Sequence, residues 1–322
     1  MKKEYLITVD LGGTKILSAL FDKENKIIER VKIPTDAKKG AKHLVKDIAS
    51  SVKQLIKQAG VKSGNVIAVS MGVPGTVNPE SGMIETAPNL DIKKFNIKQS
   101  LEDLIEIPVL IENDVNLAGL GIKKYEYKNN VKNMLVVFVG TGIGGALFFN
   151  GKLYRGSSFY AGEIGHIKVD KNGAFSSEPD SSFEELASRT AIVNSIVQHI
   201  KKGKKSVLEN FVKEDKKIKS KSIAKAISKD DDLVKKEISK GCKIIGTVLG
   251  SLTTLLNFDS IVLGGGLLEA NHEFMLPKIQ DAFNKSVVKE IGRVVKLNVT
   301  KLGDDAPLYG GIALSEEFSG NG

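Results

Sequence analysis

A chain of 322 residues exceeds one ordinary hydrophobic core and predicts two domains of roughly 150 residues each. With 41% apolar and 26% charged residues, and no apolar stretch near the ~20 residues of a bilayer span, it reads as a globular cytoplasmic protein with no membrane partner. The single cysteine, Cys242, excludes a disulfide framework and any multi-cysteine metal site, and the net charge of +9 is most concentrated over 201–240, where acids interleave the lysines as on solvated helix faces, so no nucleic-acid partner is expected.

In chain order, the start MKKEYLITVD resembles a first strand more than a signal peptide. Residues 5–33 predict strand YLITVD, the glycine turn LGGT, strand KILSALF, the polar turn DKENK and strand IIERVKI. An amphipathic helix over 41–59 precedes the strand and turn VIAVSMGVPG, and a helix over 98–105 precedes the strand IPVLIE. That apolar run ends in Glu112, Asn113 and Asp114. Strand termination alone explains an Asn and an Asp there; the functional alternative puts Asp114 at the mouth of a cleft to handle a proton.

Residues 134–170 repeat the opening scheme as MLVVFVG, the glycine turn TGIGG, ALFF, the turn Asn150-Gly151, KLYRG and the short strand HIKV. Asn-Gly between apolar runs is a strong hairpin signal. Residues 203–232 read as a helical excursion without chemistry, and a long helix over 233–256 leads into SIVLGGG. One strand meander occurring twice, each copy feeding an α/β layer, implies two similar domains facing one another across a cleft.

The glycine turns are where chemistry is readable. Asp10 to Lys15 places a carboxylate at a strand end, then two residues without a β-carbon, a hydroxyl and an ammonium. The amides of Gly12 and Gly13 can approach phosphate oxygens, Thr14 adds a donor, and Asp10 can hold magnesium through its waters; a hairpin turn that simply needs glycine is the plain alternative. The second turn, Gly140 to Gly145, matches the dinucleotide pattern G-x-G-x-x-G, but that fingerprint requires a helix at its last glycines and here ALFFNGKLY comes next as a strand and turn. The Walker pattern is absent. What remains is a pair of glycine hairpins able to clamp the phosphates of one nucleotide, with Gly264 and Gly265 after a buried strand offering bare backbone for an adenosine. His43, His199 and His272 sit in helical patterns with no partner motif.

LGGTK near the start, GVPG at 72–75, APNL at 87–90, END at 112–114, GTGIGG at 140–145, FYAGEIGH at 159–166 and IVLGGG at 261–266, in this order across nearly the whole chain, resemble a ROK-type sugar kinase. The resemblance implies a duplicated actin-like (ribonuclease H-like, hexokinase-like) α/β fold with an interdomain cleft. Its smaller domain spans 1–117 plus 305–322, the larger 118–304, and the C-terminal helix returns to the first domain. It implies ATP and Mg2+ as cofactors, a hexose or N-acetylhexosamine as substrate, and a homodimer or higher homo-oligomer. It makes Asp114 the catalytic base and Asn113 a ligand of sugar hydroxyls. Glu163, His166 and Glu184 fall on sugar-contacting positions, Asn89 and Gly75 more weakly so. Asp10, Gly12, Gly13, Thr14, Lys15, Gly140, Thr141, Gly142, Gly264 and Gly265 take the nucleotide.

This assignment agrees with elementary chemistry: phosphoryl transfer to a sugar hydroxyl needs positioning, charge compensation and one oriented carboxylate, and carboxylates accept from adjacent hydroxyls. One departure stands out. Similar proteins bind zinc through a histidine and three cysteines, whereas KVDKNGAFSSEPDSSFEE carries Ser and Phe at those places. No zinc is expected, and the loop 168–183 must be held by packing. Two function classes result: a hexose kinase, with glucose as first choice from the DDAPLYGGIAL ending and N-acetylmannosamine or fructose as alternatives, or a sugar-sensing regulator. The regulators carry a helix-turn-helix ahead of the first glycine turn, and here Tyr5 already opens the first strand.

Overall fold

The structure, a computed structural model, describes residues 4–175 and 181–320. The chain packs as two units. One comprises the chain up to Asn130, Gly151–Ala161 and the segment from Asp304 onward; the other comprises Val131–Asn150 and Gly162–Gly303.

The first unit opens with β1 (Tyr5–Leu11), β2 (Lys15–Phe21) and β3 (Ile27–Pro34). Next comes α1 (Ala41–Gln58), which buries Leu44, Val45, Ile48, Val52 and Leu55, spaced as one helical face. After β4 (Val66–Val73), the strands β5 (Thr76–Asn78), β6 (Met83–Ala87) and β7 (Ile92–Asn96) form a small antiparallel sheet. Helix α2 (Ile97–Ile105) is capped by Asn96, whose side-chain oxygen accepts from the Gln99 amide at 2.9 Å. Strand β8 (Val109–Asn113) runs directly into α3 (Asp114–Gly121). The sequence reading contains no α3, because its Leu117, Ala118, Gly119 and Gly121 are all buried and no polar face marks a helical period.

In the second unit β9 (Met134–Val139) and β10 (Ile143–Phe149) form a hairpin. Asn150 and Gly151, through which the chain passes to β11 (Lys152–Leu153) of the first unit, have φ of 51° and 79°, as a type I′ turn requires. Then come β12 (Lys168–Val169) paired with β13 (Ser181–Ser182), and the helices α4 (Phe183–Ala187), α5 (Arg189–Lys201), α6 (Glu209–Lys213), α7 (Ser220–Ser228) and α8 (Asp232–Leu256). Strand β14 (Ser260–Gly264), α9 (Gly266–Ser286), α10 (Lys289–Gly292) and β15 (Lys296–Val299) complete it. The chain then re-enters the first unit as α11 (Ala306–Phe318).

The repeat seen in the sequence is a repeat of connectivity. Strands run β3-β2-β1-β4-β8 in the first sheet and β10-β9-β14-β15 in the second; in each, the hairpin pair is antiparallel and the next two strands are parallel. Each sheet packs its own core, with Ile7, Val9, Ile48, Val69 and Ile111 in the first and Leu135, Val137, Val248, Ile261 and Phe283 in the second.

Three details depart from the sequence expectations. The second glycine turn is short, since Gly144 and Gly145 already belong to β10. Only Lys168–Val169 of HIKV is strand, because Ile164–His166 forms a 3-10 turn. The excursion over 203–232 is helical as expected, through two short helices, α6 and α7. The first unit also continues past residue 117, because α3 packs tightly on α11. Small residues allow that approach: a β-carbon on Gly310 would collide with Leu117 O, and one on Gly121 with Ala306 O.

Candidate functional site

In the first unit the predicted residues gather at the carboxyl ends of β1, β4 and β8, where open α/β sheets bind ligands. Register aligns Asp10 with Gly72, and Gly72 with Glu112. A β-carbon on Gly72 would stand 3.3 Å from the Asp114 Cα, so the glycine admits the start of α3 beside the strand ends. Burial, and then the charge of Asp114, push the Asp10 carboxyl up to about 7, with Lys15 opposing and Asp304 adding. Lys15 is ion-paired with Asp304, and Arg30 makes a two-pronged pair with Asp305 at 2.6 and 2.9 Å. Both acids immediately precede α11. Gly12, with Gly13 and Thr14 exposed after it, forms the hairpin tip; the Gly12 amide donates to Lys15 O at 2.9 Å and Gly12 O accepts from the Thr35 hydroxyl at 2.7 Å. Gly13 lies next to Asn89, which is exposed.

Asn113 is committed to structure. Its Oδ1 caps α3 by accepting from the amides of Val115 (2.9 Å) and Asn116 (3.0 Å), and its Nδ2 donates to Gly75 O at 3.1 Å. Gly75 has φ +90° and a β-carbon there would collide with Thr86 O, so glycine is required. Gly75 thus holds Asn113. Asp114, half-buried, is the first residue of α3, a position that favours a carboxylate.

Sequence reasoning gave no role to the neighbouring Glu112. It is 1% exposed; Oε1 accepts from the Asn113 amide at 2.9 Å and Asn116 Nδ2 at 3.0 Å, and Oε2 accepts from Arg155 Nε at 2.6 Å. The far edge of the Arg155 guanidinium grips Glu317 at 3.0 and 2.9 Å. Burial opposes the charge on Arg155, but Glu317 and Glu112 outweigh it and hold the group above its usual range.

In the second unit three motifs converge on the β9–β10 turn. The Gly140 amide donates to Gly142 O at 2.8 Å, and Thr141 is exposed. Glu184 Oε2 accepts from the Ile143 amide at 2.7 Å, and a β-carbon on Gly142 would collide with that oxygen. So Glu184 ties down the turn, itself placed by a capping box in which Ser182 and Glu185 close the start of α4. Arg189, absent from the sequence reading, donates its amide to Gly140 O at 3.0 Å and lies 3.4 Å from the Thr141 hydroxyl. The AGEIGH segment packs against the same hairpin: the Gly145 amide donates to Gly162 O at 2.9 Å, and Gly162 has φ +101°. Glu163 and the exposed His166 lie 3.8 Å apart; burial pushes the Glu163 carboxyl up, His166 opposes and Glu184 adds. At the end of β14, a β-carbon on Gly264 would meet the Phe138 ring at 2.8 Å, and Gly265 (φ +99°) abuts Val139, so these glycines serve close packing onto β9.

The loop in place of the cysteine segment is held in part by an Asp170-centred turn. Its Oδ1 accepts from the amides of Ala174 (2.9 Å) and Asn172 (2.8 Å), which hold the carboxyl below the usual range. Gly173 (φ +90°) packs on Ile244 of α8, and Lys243 donates to Asn172 at 3.0 Å. Residues 176–180 lie outside the described residues. Among the described residues, no group of three His, Cys, Asp or Glu side chains could hold a metal, and no helix is long and apolar enough to cross a membrane. The remaining histidines have ordinary neighbours: Asp47 at 3.6 Å from His43, Glu237 at 3.6 Å from His199, and Glu269 O at 3.3 Å from His272.

A family profile described as the ROK family matches residues 6–317. The chain belongs to the ROK family. It is 28% identical to a glucokinase of Halalkalibacterium halodurans over 97% of this chain and 94% of that protein. A xylose repressor of Caldicellulosiruptor bescii is 25% identical over 96% of this chain and 77% of the repressor. A crystal structure of a ROK family glucokinase from Streptomyces griseus in complex with glucose and AMPPNP superposes with a TM-score of 0.81 at 27% identity, covering 97% of this chain and 99% of that one. The fold is the actin-like two-domain α/β fold of these ROK proteins, and the duplicated sheet connectivity is its signature here.

Proposed function

We propose that this chain is an ATP-dependent hexose kinase that transfers the terminal phosphate of ATP to a sugar hydroxyl, glucose being the first-choice acceptor. The observation that carries the reading is Asp114 at the first turn of α3, beside the half-buried Asp10 at the end of β1. The likeness to glucokinases over nearly the whole chain supports the same reading. Asp114 is the base for the attacking hydroxyl. The second hydrogen of Asn113 Nδ2, together with Asn89, Glu163 and His166, binds the sugar, while Glu184 and Gly75 act through the backbone they hold. The hairpin tips at Gly12, Gly13, Thr14 and Lys15 and at Gly140, Thr141 and Gly142 take phosphate oxygens through backbone amides.

Asp10 fits magnesium as a hard oxygen donor whose ionised form Lys15 compensates only in part against burial and the charge of Asp114. When bound, the ion supplies compensation for phosphate charge. N-acetylmannosamine or fructose would use the same acceptors, and a cytoplasmic homodimer or higher homo-oligomer completes the proposal. The xylose repressor likeness favours a second reading, a sugar-sensing regulator without turnover.

A coupled assay over hexoses and N-acetylhexosamines with ATP and Mg2+ separates the readings. Turnover on at least one sugar, lowered ~10²- to 10⁴-fold by Asp114→Asn with folding intact, is expected. Near-normal turnover of that variant would overturn the base assignment, and sugar binding without turnover would favour the regulator.

A further inference from the structure

Glu112 and Arg155 have no part in the kinase reading, yet Glu112 is 1% exposed immediately before the two residues central to it. A carboxylate so deeply buried persists only with compensation. Its oxygens divide the work. Oε1 fixes the start of the turn through the Asn113 amide (2.9 Å) and Asn116 Nδ2 (3.0 Å), and Oε2 receives Arg155 Nε at 2.6 Å. The other edge of the same guanidinium is held by both oxygens of Glu317 near the end of α11. A planar five-donor fork can serve both carboxylates at once; a lysine ammonium offers one point of charge and cannot reproduce that geometry. Arg155 also accepts the Ala161 amide on its own carbonyl at 3.0 Å, so its backbone is fixed at the foot of the segment that continues into Gly162 and Glu163.

Resting on the kinase reading, we propose that Arg155 is a positioning residue for phosphoryl transfer. Through Glu112 it sets the orientation of the Asn113-Asp114 turn, and Glu317 holds its guanidinium in register. The turn is sensitive to this because Asn113 Oδ1 must meet two amides, at 2.9 and 3.0 Å, for Asp114 to begin α3. Displacement of a reacting group by about 1 Å is enough to cost ~10²-fold in rate.

The test compares kcat, KM for sugar and ATP, and thermal midpoint for wild type, Arg155→Lys, Glu317→Ala and the double variant. Glu317 is exposed, so its removal leaves the Arg155–Glu112 pair and the fold in place. Expected are a fall in kcat of roughly tenfold or more for Arg155→Lys, a smaller fall for Glu317→Ala, an unchanged KM for ATP in both, and a double variant no worse than Arg155→Lys alone. Wild-type kcat in both single variants overturns the proposal, as do losses that disappear when the assay is run well below the midpoint. If wild type phosphorylates no sugar of the panel, the kinase reading fails separately. Amide hydrogen exchange at Val115 and Asn116 then decides: faster exchange in Glu317→Ala and Arg155→Lys supports positioning by Arg155, and unchanged exchange overturns it.

Discussion

Asp10→Asn isolates the electrostatics of the strand-end site. A carboxyl that titrates at about 7 in the folded chain, against 3.8 for an ordinary aspartate, makes the folded state bind up to one more proton than the unfolded state across that window. Stability therefore falls as pH rises, by up to about 1.4 kcal/mol per pH unit. The loss is absent below the unfolded value and complete above the folded one, reaching at most on the order of 4 kcal/mol by pH 8. Asparagine mimics the neutral acid at every pH. Urea denaturation from pH 4.5 to 8.5, without magnesium or nucleotide, should then show Asp10→Asn gaining steadily on wild type as pH increases, with the gain levelling off above pH 7. Because burial outranks the charge of Asp114 as the cause, Asp114→Asn should shift the wild-type profile downward in pH while keeping most of its slope. Parallel stability profiles for wild type and Asp10→Asn would refute the reasoning, since they would mean that Asp10 ionises equally easily folded and unfolded.

Glycine substitutions in the second hairpin should separate sharply: Gly142→Ala displaces the Glu184 oxygen from the Ile143 amide and should destabilise the protein by about 1–3 kcal/mol, whereas Gly140→Ala meets nothing within 4 Å and should stay within about 0.5 kcal/mol of wild type by the same denaturation assay. Dialysis against a chelator should leave the thermal midpoint of nucleotide-free protein unchanged, while Asp170→Ala should lower it; stoichiometric zinc in protein purified without chelator would contradict the packed-loop account. Cys242 is fully buried and burial pushes its thiol up to about 12, so a thiol reagent at pH 8 should leave the folded protein unlabelled and react once urea unfolds it.

Much of the architecture is legible in the sequence because it is written at short range. The strands on either side of LGGT and the Asn150-Gly151 turn arise from apolar runs broken by residues that tolerate turn geometry. The strand after Gly140-Thr-Gly-Ile-Gly-Gly145 disposes of the dinucleotide pattern, and β10 stands where a helix would have been needed. The boundary at Asn113-Asp114 is visible too, although the helix beyond it is not. Helix α3 is mostly buried and betrays no period; it exists because Asn113 caps it and because Gly310 and Gly121 let α11 approach.

By itself, then, the sequence determined the duplicated α/β plan, the two glycine hairpins and the placing of Asp114 at a strand end, all consequences of local periodicity and turn chemistry. Tertiary structure alone decided how those groups are held and charged. Arg155 finds Glu112 and Glu317 from 43 and 162 residues away, and Glu184 turns out to bind the backbone of a hairpin 41 residues before it. The proton affinity of Asp10 depends on burial and on a carboxylate from another element. Hydrogen bonding and Coulomb interactions act through space over a few ångströms, whereas pattern along the chain records only what neighbouring residues do.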